Sequence, residues 1–119
     1  MSRQDTLIKN RIRRRAKRVG LILTDAQVEH LWAYVELLRR WNERMNLTAL
    51  DARDKGLDRL LIEPLIASTH LPAGPVRVVD IGSGAGSPAI PLRLGRSNVR
   101  VLMIEAKVRR AAFLREACR

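Results

Sequence analysis

Hydrophobic positions in the first half of the chain recur three and four residues apart, the spacing that brings side chains onto one face of an α-helix. Within residues 5–19, Ile8, Ile12, Ala16 and Val19 form one apolar stripe on an otherwise basic segment, and Gly20 is placed to close it. Thr24 and Gln27 have the spacing of a capping box, in which a hydroxyl and a side-chain amide satisfy the first free backbone N–H groups. They predict a long helix running to about Met45, with Val28, Leu31, Trp32, Val35, Leu38, Trp41 and Met45 on one face. Both tryptophans then read as core anchors. Asn46, Leu47 and Thr48 break the pattern into a turn. A third helical stretch covers roughly 54–69, weakened at Gly56, with Pro64 opening a new first turn because proline has no N–H to donate to a continuing helix.

The period changes after Leu71. Residues 71–75 are a short stiff connector containing Pro72, Gly74 and Pro75, and 76–81 are a β-branched run of the kind found in a strand buried on both faces. Gly82, Gly84 and Gly86 follow at once, then a helical pattern over 87–94, a second strand over 99–104 with Glu105 at its end, and a last helix over 107–118. Its apolar side is expected to include Val108, Ala111, Ala112, Leu114 and Ala117. Strand, glycine turn, helix, strand, acid, helix is the opening of a doubly wound, Rossmann-like α/β sheet. The expected organisation is a helical region over 1–71 and a partial Rossmann-like unit over 72–119. Two parallel strands are too few for such a sheet, so the chain is a fragment, another chain completes the sheet, or the fold is incomplete and marginal.

Composition narrows the partners. The chain has 119 residues, 46% of them hydrophobic, which suffices for a packed core and argues against disorder. Its formal net charge of +11 sits at the two ends: residues 1–20 carry eight Lys or Arg against Asp5, and 65–119 carry nine against three acids, whereas 21–64 are slightly acidic. This distribution predicts a polyanion met by Arg11, Arg13, Arg14, Arg15, Lys17 and Arg18 of the first helix and by Arg109 and Arg110 near the end. Arginine outnumbers lysine 19 to 4, so compositional bias supplies part of the surplus. With Trp32, Tyr34, Trp41 and Phe113 as its aromatic residues, the chain is unsuited to binding single strands by rows of stacking rings. A lone cysteine, Cys118, excludes an internal disulfide and a multi-cysteine metal site. No apolar run approaches the roughly 20 residues of a membrane span, and the basic start has no hydrophobic signal core behind it, which predicts a cytoplasmic protein.

The glycine segment carries the candidate chemistry. Glycines directly after a strand let the backbone turn tightly and approach a ligand without Cβ clashes, and the next helix presents free N–H groups. Glu105, 25 residues after Asp80, stands where an acid at the second strand's end accepts hydrogen bonds from two ribose hydroxyls. The candidate nucleoside-binding residues are therefore Asp80, Gly82, Ser83, Gly84, Ala85, Gly86 and Glu105. Structural roles compete: Asp80 can cap the turn, and Glu105 can cap the last helix. The register Gly82-x-Gly84-x-x-Ser87 lacks the third glycine of dinucleotide binders, so the form D-x-G-x-G-x-G fits better. His30 and His70 read as surface and helix-end residues.

Residues 80–92, DIGSGAGSPAIPL, resemble motif I of class I S-adenosylmethionine-dependent methyltransferases, and more narrowly that of the bacterial small-subunit ribosomal RNA methyltransferase G family, also called glucose-inhibited division protein B. The W-N-x-x-x-N-L-T ending of that family's helix is similar to Trp41 through Thr48, and its second-strand acid and K-R-x-x-F-L segment to Glu105 and Arg109 through Leu114. The chain departs from the family where R-H-x-x-D-S is usual, having Arg59, Leu60, Glu63 and Pro64 there, and in placing Ser87 where a bulky residue is usual. The resemblance implies S-adenosyl-L-methionine as cofactor, 16S rRNA or the 30S subunit as partner, and methyl transfer to guanine N7. Two other readings stay open: a non-catalytic RNA-binding module with a residual nucleoside-binding turn, and a dinucleotide-binding oxidoreductase fragment, which the glycine register disfavours.

Overall fold

A computed structural model describes residues 2–49 and 53–119. Helix α1 (Arg3–Arg18) starts ahead of its predicted stripe because Ser2 and Asp5 make a capping box of their own, with the Asp5 N–H donating to Ser2 Oγ and the Ser2 N–H to Asp5 Oδ2, each at 3.1 Å. Ile8, Ile12 and Ala16 are buried as the spacing predicts, whereas Val19, just past the helix, is exposed. Helix α2 (Asp25–Met45) opens on the Thr24–Gln27 box, both of whose bonds form, at 2.9 and 3.1 Å. Its buried face holds Val28, Leu31, Tyr34, Val35 and Leu38. Trp32 and Trp41 pack half-buried against this core, and Trp41 meets Phe113 edge to face with ring centroids 5.6 Å apart.

The third helical stretch is less regular than its pattern suggests. Helix α3 (Asp54–Leu57), with Gly56 buried inside it, runs into a π-helical turn (Asp58–Ile62) and then into α4 (Glu63–Thr69), which carries Pro64 in its first turn as expected. In the widened turn the Glu63 N–H donates to the Asp58 carbonyl, five residues back.

Strands β1 (Val76–Ile81) and β2 (Val99–Ile104) occupy the predicted residues and pair in parallel, Val76 opposite Val99 and Ile81 opposite Ile104. Helix α5 (Ala89–Gly95) connects them and α6 (Val108–Ala117) follows β2. The result is a mixed α/β fold compatible with the start of a Rossmann-like sheet. α5 lies hard against α4, because a Cβ on Gly95 would stand 2.8 Å from Ser68 Oγ and 2.9 Å from Leu65 Cδ2.

One core cluster joins the helices to the strand-bearing half, with Ile12, Leu31, Leu57 and Leu61 on one side and Phe113 and Leu114 of α6 on the other. It covers a single face of the sheet. Val79, Ile81, Leu102 and Ile104 point the other way, Ile81 being 80% exposed. The expectation of strands buried on both faces is corrected here: with a side-chain period of two, the alternate residues meet no described helix. Val108, expected on the apolar side of α6, is 83% exposed because its place at the helix start precedes the turns that reach the core at Phe113.

Candidate functional site

After Ile81 the chain reverses through Gly82, Gly84 and Gly86, whose φ values of 76°, 56° and 88° lie in the region that strains any other residue. Space adds a second requirement at Gly86, where a Cβ would fall 2.6 Å from Ile90 Cδ1 and 3.2 Å from Leu114 Cδ2. The Gly82 N–H donates to the Ile104 carbonyl at 2.7 Å, prolonging the strand pairing by a step. Inside the turn the Gly86 N–H reaches the Ser83 carbonyl at 2.8 Å, and the Ile90 N–H reaches that of Gly86 at 2.7 Å, which starts α5.

The two carboxylates behave differently. Glu105 accepts from the Gly84 N–H with one oxygen, at 2.7 Å, and from the Lys107 N–H with the other, at 3.0 Å. The Lys107 amide first, and then that of Gly84, hold its carboxyl below the usual carboxylate range. Glu105 thus caps the approach to α6 and fastens the middle glycine of the turn. Asp80 Oδ2 is buried and has no hydrogen-bond partner among the described residues. The bond that closes the turn beside it is made instead by Ser83 Oγ, donating to the Asp80 carbonyl at 3.0 Å.

Two hydroxyls tie the turn to the helices. Tyr34 Oη donates to the Ala85 carbonyl at 2.6 Å, and Ser87 Oγ to the Leu60 carbonyl at 2.8 Å. Burial pushes the Tyr34 phenol well above its ordinary pKa, so the donor stays protonated. Sequence reasoning passed over Tyr34, whose one signal is a phenol set among the apolar positions of α2. Between the glycine turn and the π-helical turn lies an open cleft of about 720 Å³, with Thr48, Arg59 and Glu63 on its helical wall and Gly82, Gly84 and Ser87 on the other. Neither Arg59 nor Glu63 forms an ion pair with another described residue.

The basic residues picked out for a polyanion divide into two groups. Arg11 lies 3.4 Å from Asp54, Arg13 lies 2.8 Å from Asp25, and Arg15 grips both oxygens of Asp58 with Asp54 at 3.5 Å. The Arg15 bond holds the Asp58 carboxyl below its usual range. Arg14, Lys17 and Arg18 are exposed and make no ion pair among the described residues, as do Arg109 and the half-buried Arg110. Among the described residues there is no His, Cys, Asp and Glu grouping able to hold a metal ion, and no helix long and apolar enough to cross a membrane.

A family model described as rRNA small subunit methyltransferase G matches residues 27–119, from the first turn of α2 through the whole strand-bearing half. The chain belongs to this family. Among curated methyltransferase G proteins, that of Neisseria meningitidis serogroup C (strain FAM18) is 35% identical over 109 residues, covering 92% of this chain and 52% of the relative. The methyltransferase G of Cupriavidus metallidurans is 40% identical over 111 residues, covering 85% of this chain and 47% of its own length. That of Chromobacterium violaceum is 37% identical over 98 residues, with 82% and 46% covered. The chain spans about half the length of the curated methyltransferase G relatives it matches. The stretch shared with the family model includes the glycine turn, Glu105, Tyr34 and both walls of the cleft.

Proposed function

We propose that this chain is the cofactor-holding part of an S-adenosylmethionine-dependent methyltransferase that modifies guanine N7 in 16S rRNA, acting on the 30S subunit in the cytoplasm. The reading rests on one arrangement: three left-handed glycines directly after β1, with Glu105 bonded into their middle and a partnerless carboxylate oxygen of Asp80 buried at their start. A buried acceptor left without a donor costs about 1–3 kcal/mol, and the ammonium of a methionine tail is a donor of the right kind. The residues present therefore fit the cofactor. Asp80 and the main chain of Gly82, Ser83, Gly84, Ala85 and Gly86 would hold its methionine end. Glu105 would take the ribose hydroxyls, since each carboxylate oxygen keeps a lone pair after accepting one amide.

When bound, the sulfonium supplies an electrophilic methyl group. Guanine N7 already has a free lone pair, so no side chain is required to remove a proton, and the work of the protein is alignment and exclusion of water. Of the cations predicted to meet RNA, Arg14, Lys17, Arg18, Arg109 and Arg110 make no ion pair among the described residues and would contact its phosphates. Those unpaired cations also favour a second reading, an RNA-binding module without catalysis.

Titration calorimetry with S-adenosylhomocysteine tests the choice. The first reading expects one-to-one binding that Gly84→Val abolishes. Salt-sensitive binding of a 16S rRNA fragment, with no heat from S-adenosylhomocysteine, selects the second. NADH bound in preference to S-adenosylhomocysteine overturns both in favour of a dinucleotide fold.

A further inference from the structure

The glycine turn is fastened to the helices through a carbonyl that a regular helix would keep for itself. In an α-helix the Leu60 carbonyl accepts from the N–H four residues on. That residue is Pro64, which has none. The helix has also just widened, with the Glu63 N–H committed to Asp58. The Leu60 carbonyl thereby lacks its α-helical donor, and Ser87, one residue past Gly86, donates to it at 2.8 Å. Leu60 and Ser87 both line the cleft that separates the helical wall from the glycine turn.

We propose that Ser87 is a positioning residue: by donating to the carbonyl that Pro64 leaves without its α-helical donor, it locks the glycine turn to the π-helical turn and sets the width of the cleft. Cofactor affinity then depends on a hydroxyl already committed to the protein's own backbone. The affinity part rests on the cofactor reading above, whereas the lock itself does not.

The test combines amide hydrogen exchange on the 119-residue chain with titration of S-adenosylhomocysteine. The reporters are the Gly86 and Ile90 amides, bonded within the turn at 2.8 and 2.7 Å. Ser87→Ala should speed exchange at both by about tenfold, the loss of roughly one net hydrogen bond, and weaken S-adenosylhomocysteine by a similar factor. Ser87→Thr keeps the hydroxyl and should stay within about threefold of wild type. Pro64→Ala gives Leu60 a backbone donor, so in that background Ser87→Ala should change exchange by less than about threefold. Equal effects in both backgrounds, or no effect in either, overturn the proposal. Undiminished affinity in a Ser87→Ala protein whose wild type binds S-adenosylhomocysteine overturns the positioning role. A wild-type chain that binds none sinks the cofactor reading, and exchange at Gly86 and Ile90 still decides the lock. If Ser87→Ala does not fold, Ser87→Cys, similar in size but a weaker donor, should speed the same two amides, and unchanged exchange there counts against the lock.

Discussion

Viewed from the glycine turn, one side of the molecule is crowded and the other open. Towards the helices, Gly86 has no room for a methyl group, Tyr34 and Ser87 each donate into or out of the turn, and Phe113 is fully buried beside Tyr34 and Trp41. On the far side, Val79, Ile81, Leu102 and Ile104 face solvent from the same two strands. The difference teaches that the helical region belongs to the site. The strands place the turn, but α2 and the π-helical turn give it its shape.

The contrast can be broken most decisively at Phe113. Its ring has no exposure, so Phe113→Ala should cost about 3–5 kcal/mol in urea denaturation, and a loss below about 1 kcal/mol would show that the crowded side is not what holds the fold. Gly86→Val combines a left-handed φ with a clash against Ile90 and should cost about 3 kcal/mol in thermal unfolding, with binding of S-adenosylhomocysteine lost. Tyr34→Phe removes one donor from the turn and should cost about 1 kcal/mol near neutral pH. It also carries a pH signature. A phenol whose folded pKa is raised stabilises fully below the unfolded value of about 10 and progressively less as pH climbs toward the folded one. Unfolding midpoints of the wild type should therefore fall above pH ~10 more steeply than those of Tyr34→Phe. On the open side, Leu102→Thr should move stability by no more than about 0.5 kcal/mol, and a larger loss would mean that this face is covered in solution.

What the sequence made legible was local. The Thr24–Gln27 box, both strands and the glycine turn depend on residues a few positions apart, and each lies where its pattern predicts. The position of Glu105 was equally readable, but its bond to Gly84 was not, because that depends on how β1 and β2 align. Tyr34 and Ala85 are 51 residues apart, and nothing in the spacing of α2 announces their bond. The π-helical turn was hidden for a related reason: Pro64 marks a break in the helix without saying whether the backbone stops, kinks or widens. The open sheet face escaped because an apolar, β-branched strand looks the same whether one of its faces or both are covered.

The ion pairs of α1 change what its charge is worth to a polyanion. Arginines that already face Asp54, Asp25 and Asp58 carry their counter-charges with them, so bringing them to RNA displaces few condensed cations. Should α1 meet RNA as proposed, Arg14, Lys17 and Arg18 of its six candidates would be left to drive counterion release, and their share of the slope of log affinity against log salt would be about −2 to −3, roughly half of what the base count implies.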